Sequence, residues 1–112
     1  MAVVYNSVAG TATFTGATTT SFGLTLPGTP TDGDLLVCQL GLQSNTSQVT
    51  ISFSTGSWVA VGTAISALST SGTMAAVYYR RWHTGDPTTW TVTLGANRLV
   101  AASVRAYGGV HG

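Results

Sequence analysis

Three carboxylates, two imidazoles and one thiol are the groups in this chain that could do acid–base, nucleophilic or metal chemistry: Asp32, Asp34, Asp86, His83, His111 and Cys38. Asp32-Gly33-Asp34 sets two acids two residues apart in a glycine turn, a spacing that could offer oxygen ligands to calcium. The competing reading is turn chemistry, in which each carboxylate accepts a hydrogen bond from nearby backbone. Turn chemistry is favoured, because a calcium site needs several more oxygens that the sequence does not place. A serine hydrolase could be assembled on paper around His83 or His111, but no serine sits in a Gly-x-Ser-x-Gly elbow, and His111 is the penultimate residue. Two histidines and one cysteine at no recognised ligand spacing do not specify zinc. The lone Cys38 cannot form an internal disulfide and reads as a small buried core residue. No cofactor, metal or catalytic residue is expected, and the chain is not read as an enzyme.

The elements that carry these residues are strands. Two-residue alternation of apolar and hydroxyl side chains recurs along the chain, and helical periodicity is nearly absent. Thr89-Trp90-Thr91-Val92-Thr93-Leu94 is the clearest run, with Trp90, Val92 and Leu94 on the buried face and threonines on the other. Ser21 to Leu26 and Val49 to Ser54 repeat the pattern. Leu35 to Leu42 is apolar on both faces at its start, which suits a central strand. Met74 to Trp82 and Leu99 to Tyr107 read similarly, and the second face of the latter is expected to be covered by a loop or another subunit. Val3 to Ser7, Thr11 to Thr15 and Trp58 to Ile65 complete a set of eight or nine strands. Turn signals fall at Pro27 to Gly33, Ser44 to Ser47, Ser69 to Gly72, Thr84 to Pro87 and Gly95 to Asn97. Residues 1–112 are expected to form a single all-β domain, an antiparallel sandwich with Greek-key connections.

Composition narrows the partners. Hydrophobic residues make up 44% of the 112 and charged residues 6%, the latter four arginines and three aspartates with no lysine or glutamate. A soluble domain usually carries roughly a quarter of its residues as charges, so this exterior must be coated with hydroxyls or buried against something. With a net charge of +1 there is no basic footprint for nucleic acid or an anionic membrane. No apolar run approaches the length of a membrane-spanning helix, and Met1 to Tyr5 does not read as a secretory signal.

The densest polar-aromatic segment is Tyr78-Tyr79-Arg80-Arg81-Trp82-His83. It could grip a protein partner or stack on sugars, since Tyr, Trp and Arg dominate binding hot spots. Alternation equally allows Tyr78 and Trp82, or Tyr79, to be core. Adjacent arginines point to opposite faces, so at most one lies on the core side, where it must find Asp86, another carboxylate or backbone carbonyls.

Five segments in this order resemble a jelly-roll domain family of structural proteins from tailed bacteriophages, particularly those of actinobacterial hosts. They are Pro30-Thr31-Asp32-Gly33-Asp34-Leu35-Leu36-Val37, Gly56-Ser57-Trp58-Val59-Ala60-Val61-Gly62, Ala76-Val77-Tyr78-Tyr79-Arg80, Asp86-Pro87-Thr88-Thr89-Trp90-Thr91-Val92 and the closing run Ala101 to Gly109. The resemblance covers most of the chain from about Pro27 onward. It implies a jelly-roll-like sandwich of about eight strands in a virion structural protein, most simply a capsid decoration (cement) protein. Its implied partners are the major capsid protein and further copies of itself as a homotrimer, on the outer surface of the capsid. The alternative it leaves is a carbohydrate- or receptor-binding module of a phage tail. The residues expected to face a partner are Trp58, Tyr79, Arg80, Arg81, Trp82, His83, Arg105 and Tyr107.

Overall fold

The computed structural model describes residues 3–43, 50–54, 58–61, 65–67 and 73–109, with the side chains of 15–18, 43, 65–67 and 73 not described. The turns expected at Ser44 to Ser47 and Ser69 to Gly72, and His111, lie outside the described residues. Eight strands are seen among the described residues: β1 (Val4–Tyr5), β2 (Thr11–Thr25), β3 (Leu35–Gln43), β4 (Ile51–Phe53), β5 (Val59–Ala60), β6 (Ile65–Ala67), β7 (Thr73–Arg81) and β8 (Thr89–Gly108). All are joined in one antiparallel sheet, in the order β1-β8-β3-β7-β5, with β2 and β4 also on β8 and β6 on β7. The all-β expectation and the count are met.

The sheet is organised by β8. Its even-numbered side chains from Trp90 to Ala106 face inward, all buried except the half-buried Ala96 and Arg98. A straight strand of 20 residues would run about 66 Å, whereas the longest dimension of the molecule is 44 Å. The strand therefore turns a corner. Thr19 pairs with Arg98 and Ser21 with Thr93, so β2 uses Thr20 alone where β8 uses Leu94 to Asn97. A second irregularity, at Gly16, sits between the Thr15 and Ala17 pairings. Extra residues of this kind bend a ladder and increase its twist. The β2 side of the corner is tied locally: the Thr19 hydroxyl accepts from Ser21 N–H at 3.1 Å and donates to Ser21 C=O at 2.6 Å.

Phe14 and Phe22 measure the bend. Eight residues apart on a straight strand they would be about 26 Å apart, yet their rings stack with centroids 4.7 Å apart. The sheet thus folds over itself in two layers. One layer holds the second half of β8 with β3, β7 and the short strands β1, β5 and β6; the other holds Ser21–Thr25 of β2, the first half of β8, and β4. Between them lies one core of Leu24, Leu36, Cys38, Leu40, Trp90, Val92, Val100 and Val104 with their neighbours.

Two expectations are corrected here. Gly95-Ala96-Asn97 is not a turn between strands but the corner inside β8, and Thr11 to Thr15 and Ser21 to Leu26 belong to one strand bent at the same place. The turn signal marks a real change of direction, but both flanking segments keep pairing with the same partner, so the strand continues through it. A Cβ at Gly95 would meet the Thr50 hydroxyl, which would have to rotate away. Trp58 to Ile65 is not a single strand either: Val59–Ala60 and Ile65 belong to separate strands, with residues 62–64 outside the described ones.

Cys38 sits fully buried in this core, as expected, and burial pushes its thiol pKa up from 9.0 to about 12. In the unfolded chain the thiol ionises from about pH 9 while in the folded chain it stays protonated, so the unfolded state binds fewer protons and stability falls as pH rises from about 9 toward 12. A thiol reagent at neutral pH is expected to label Cys38 only at the rate of global unfolding, measured against the same reaction in denaturant. Rapid labelling of the native protein would contradict the buried placement.

Candidate interaction surface

Three loops meet at one end of the molecule: Asn6 to Gly10, Pro30 to Asp34 and His83 to Pro87. A glycine with left-handed backbone turns each of them, Gly10 at φ +75°, Gly33 at φ +89° and Gly85 at φ +96°. The three carboxylates tie these loops. Asp34 is buried, and its Oδ2 accepts from Asn6 Nδ2 at 2.8 Å and from Thr31 N–H at 3.0 Å. Asp32 Oδ1 accepts from Thr84 N–H at 2.9 Å, reaching from one loop to the next. Asp86 Oδ2 accepts from His83 N–H at 2.8 Å and from Arg80 Nη2 at 3.0 Å. Each aspartate thus does the turn work favoured from sequence. Backbone bonds reinforce the seam, with Gly33 N–H donating to Trp82 C=O and Trp82 N–H to Asp34 C=O, both at 2.8 Å.

The Thr84 N–H bond, acting against the smaller cost of desolvation and aided by the neighbouring His83, holds the Asp32 carboxyl below its usual range. His83 Nδ1 stands 3.7 Å from Asp32 Oδ1, with both side chains nearly two-thirds exposed. Among the described residues no three His, Cys, Asp or Glu side chains gather as metal ligands. A groove of about 590 Å³ opens beside Tyr5, Asn6, Thr31, Asp34 and Arg81, and its buried carboxylate is already engaged by Asn6 and Thr31.

The cluster from Tyr78 to His83 is divided by strand parity. Arg80 is the inward arginine, with 12% of its side chain exposed, and of the partners left open for it, it takes Asp86. Among the described residues its Nε and Nη1 have no hydrogen-bond partner, and the ion pair with Asp86 is the compensation seen there. Trp82 is buried and donates from Nε1 to Pro87 C=O at 3.1 Å. Trp58 is half-buried, stacked on Phe53 at 4.9 Å and set edge-on to Trp90 at 5.5 Å, while Phe53 also meets Tyr78 edge-on at 5.1 Å. These aromatics join the two layers. Of the eight residues expected to face a partner, Arg80, Trp82 and Trp58 therefore belong to the interior or its margin.

Tyr79, Arg81, Arg105 and Tyr107 are brought together on the outward face of the β1/β2-β8-β3-β7-β5 layer. Register aligns Tyr5, Tyr107, Leu35 and Arg81 in one row, and Thr11, Arg105, Val37, Tyr79 and Val59 in the next. Thr13, Ser103, Gln39 and Val77 follow, then Ala101, Gly41 and Ala75. Arg81 donates to Gly33 C=O at 2.6 Å, and Arg105 is exposed. Side chains shrink from tyrosine and arginine near the loops to alanine and glycine at the far end. The rows hold two guanidiniums and no carboxylate. The cover expected over this side of Leu99 to Tyr107 is not there among the described residues: Leu99, Ala101 and Arg105 are exposed. His83 stands apart on its loop. Leu35, Val37, Val59 and Val77 were not singled out from sequence, although the doubly apolar start of β3 carried the signal for the first two.

Compared with known proteins, the chain matches no family model, no curated protein and no solved structure.

Removing the Asp86 carboxylate by Asp86→Ala strands the inward Arg80 charge and is expected to cost about 3 kcal/mol in chemical denaturation. Asp32→Ala, on an open surface, is expected to cost much less. Equal costs for the two would contradict the division of labour among the carboxylates.

Proposed function

We propose that this chain is a virion structural protein, a jelly-roll capsid decoration protein that binds the assembled major capsid lattice on its outer surface. The observation that carries the reading is the outward face of the larger layer, about 20 by 20 Å by strand and row spacing. It carries two arginines and no carboxylate, and Tyr79, Arg105 and Tyr107 lie in adjacent rows at its bulky end. A flat patch of small, apolar and hot-spot side chains is a surface suited to being covered by another protein. The resemblance to tailed-phage structural proteins supplies the class of partner. A subunit that binds the assembled shell and not its free components stabilises the shell by its binding free energy, and no reaction is needed.

Docking stands ahead of glycan binding because of where the tryptophans lie. Trp82 and Trp90 are buried and Trp58 is stacked on Phe53, so none of them offers the open ring that sugar stacking uses.

In purified particles the protein is expected at a copy number that rises with the number of capsid subunits, measured by quantitative mass spectrometry. Tyr79→Ala and Arg105→Glu are expected to reduce capsid occupancy by at least about tenfold while leaving the unfolding midpoint of the free protein unchanged. A few copies confined to the tail would overturn the reading.

A further inference from the structure

A second surface is an edge rather than a face. β2 pairs with β8 along one side, and no described strand pairs with its other side. The segment Thr11–Thr25 contains no charged residue and no proline, the two features that most often keep an exposed edge from pairing with another chain. Within Ser21–Thr25 the register to β8 is regular over five consecutive pairs, so the backbone N–H and C=O of Gly23 and Thr25 point outward, while those of Ser21 are held by the Thr19 hydroxyl, which must rotate away for Ser21 to pair. The other arm, Thr11 to Thr15, has β1 and the Asn6 to Gly10 loop at its end, and the Tyr5 hydroxyl bonds Thr11 Oγ1 at 2.8 Å.

We propose that the free edge of Ser21–Thr25 pairs antiparallel with the same segment of a second copy, about a two-fold axis at Gly23. The inference does not rest on the capsid reading. Three observations select this occupant. The arm is self-complementary about Gly23: reversing it sets Ser21 against Thr25 of the second copy and Phe22 against Leu24, hydroxyl to hydroxyl outside and aromatic to aliphatic inside. The edge is neutral, so two copies meet without like charges opposed, unlike the arginine-bearing outward face. Gly23 is exposed, and a Cβ built there would meet no atom of its own subunit within 4 Å. A strand glycine is destabilising and often marks close approach of another backbone; nothing inside the subunit calls for this one. Pairing would run the smaller layers together as β4-β8-β2 against the same three strands of the other copy. The contact is isologous and closes at two subunits. The other described edge strands, β1, β4, β5 and β6, are two or three residues long and could not answer β2 in a ring of three.

Light scattering across the micromolar range is expected to give twice the 11.4 kDa chain mass. Gly23→Lys and Gly23→Asp, whose side chains enter open space, are each expected to be folded monomers by circular dichroism, and mixing them restores the dimer by opposing unlike charges. Gly23→Cys is expected to form a disulfide-linked dimer under mild oxidation, since Cys38 is buried, whereas Gly41→Cys on the outward face of the larger layer does not. The Gly23→Cys crosslink keeps the proposal testable if a charged variant fails to fold. A wild-type monomer at every concentration, a trimer, or a dimer indifferent to Gly23→Lys would overturn it. Capsid occupancy of the Gly23→Lys monomer separates the two proposals, because docking through the outward face needs no dimer.

Discussion

One strand carries the architecture. β8 keeps apolar residues on the same side from Trp90 to Leu94 and again from Val100 to Ala106, and these side chains must be taken out of water. No flat sheet can cover a face that long in a chain of this size, so the ribbon of β2 and β8 bends and brings the two halves of the face together. The buried side chains of Trp90 and Val92 then pack in one core with those of Val100 and Val104 from the same strand. β1, β2, β3 and β4 all pair directly with β8, and β7 reaches it through β3. A polar substitution at Val92 or Val104 would therefore disturb both layers at once.

The scarcity of charge has a structural counterpart at the loop end. With three carboxylates in the chain, all three are used to tie turns, and one also neutralises the inward Arg80. None lies on the outward face of the larger layer, which is left to hydroxyls, small apolar groups, tyrosines and two arginines. The aspartates that fasten one end thus explain why the adjoining face carries arginines without carboxylates.

Much of this was legible because strand parity is a local rule. The alternation at Thr89 to Leu94 and at Leu99 to Tyr107 identified the inward residues of β8, and the rule that neighbouring arginines part company left one inward arginine in need of a partner, with Asp86 among the candidates. Parity says which residues share a face and not whether anything covers it. Tyr79 and Trp82 were for that reason equal candidates for a partner until register and layer stacking separated them. The corner at Gly95 to Asn97 was read as a break, since glycine and asparagine signal a change of direction equally when a strand ends and when it bends. The free edge of β2 had no local signal at all, because which strand lacks a neighbour depends on the topology of the whole sheet.

The pairing of Thr11 with Arg105 spans 94 residues of chain. β8 is the last described strand in chain order and the one that β1, β2, β3 and β4 need as a partner. A growing chain that has made β1 to β7 can pair β7 with β3, β5 and β6, while β1, β2 and β4 wait for β8 to emerge. Long-range pairing of this kind folds slowly and leaves edges open to wrong partners meanwhile. After the two-residue β1, the unprotected, threonine-rich β2 is the segment that waits longest, and its lack of charge makes it the place where newly made chains would first find one another instead of themselves.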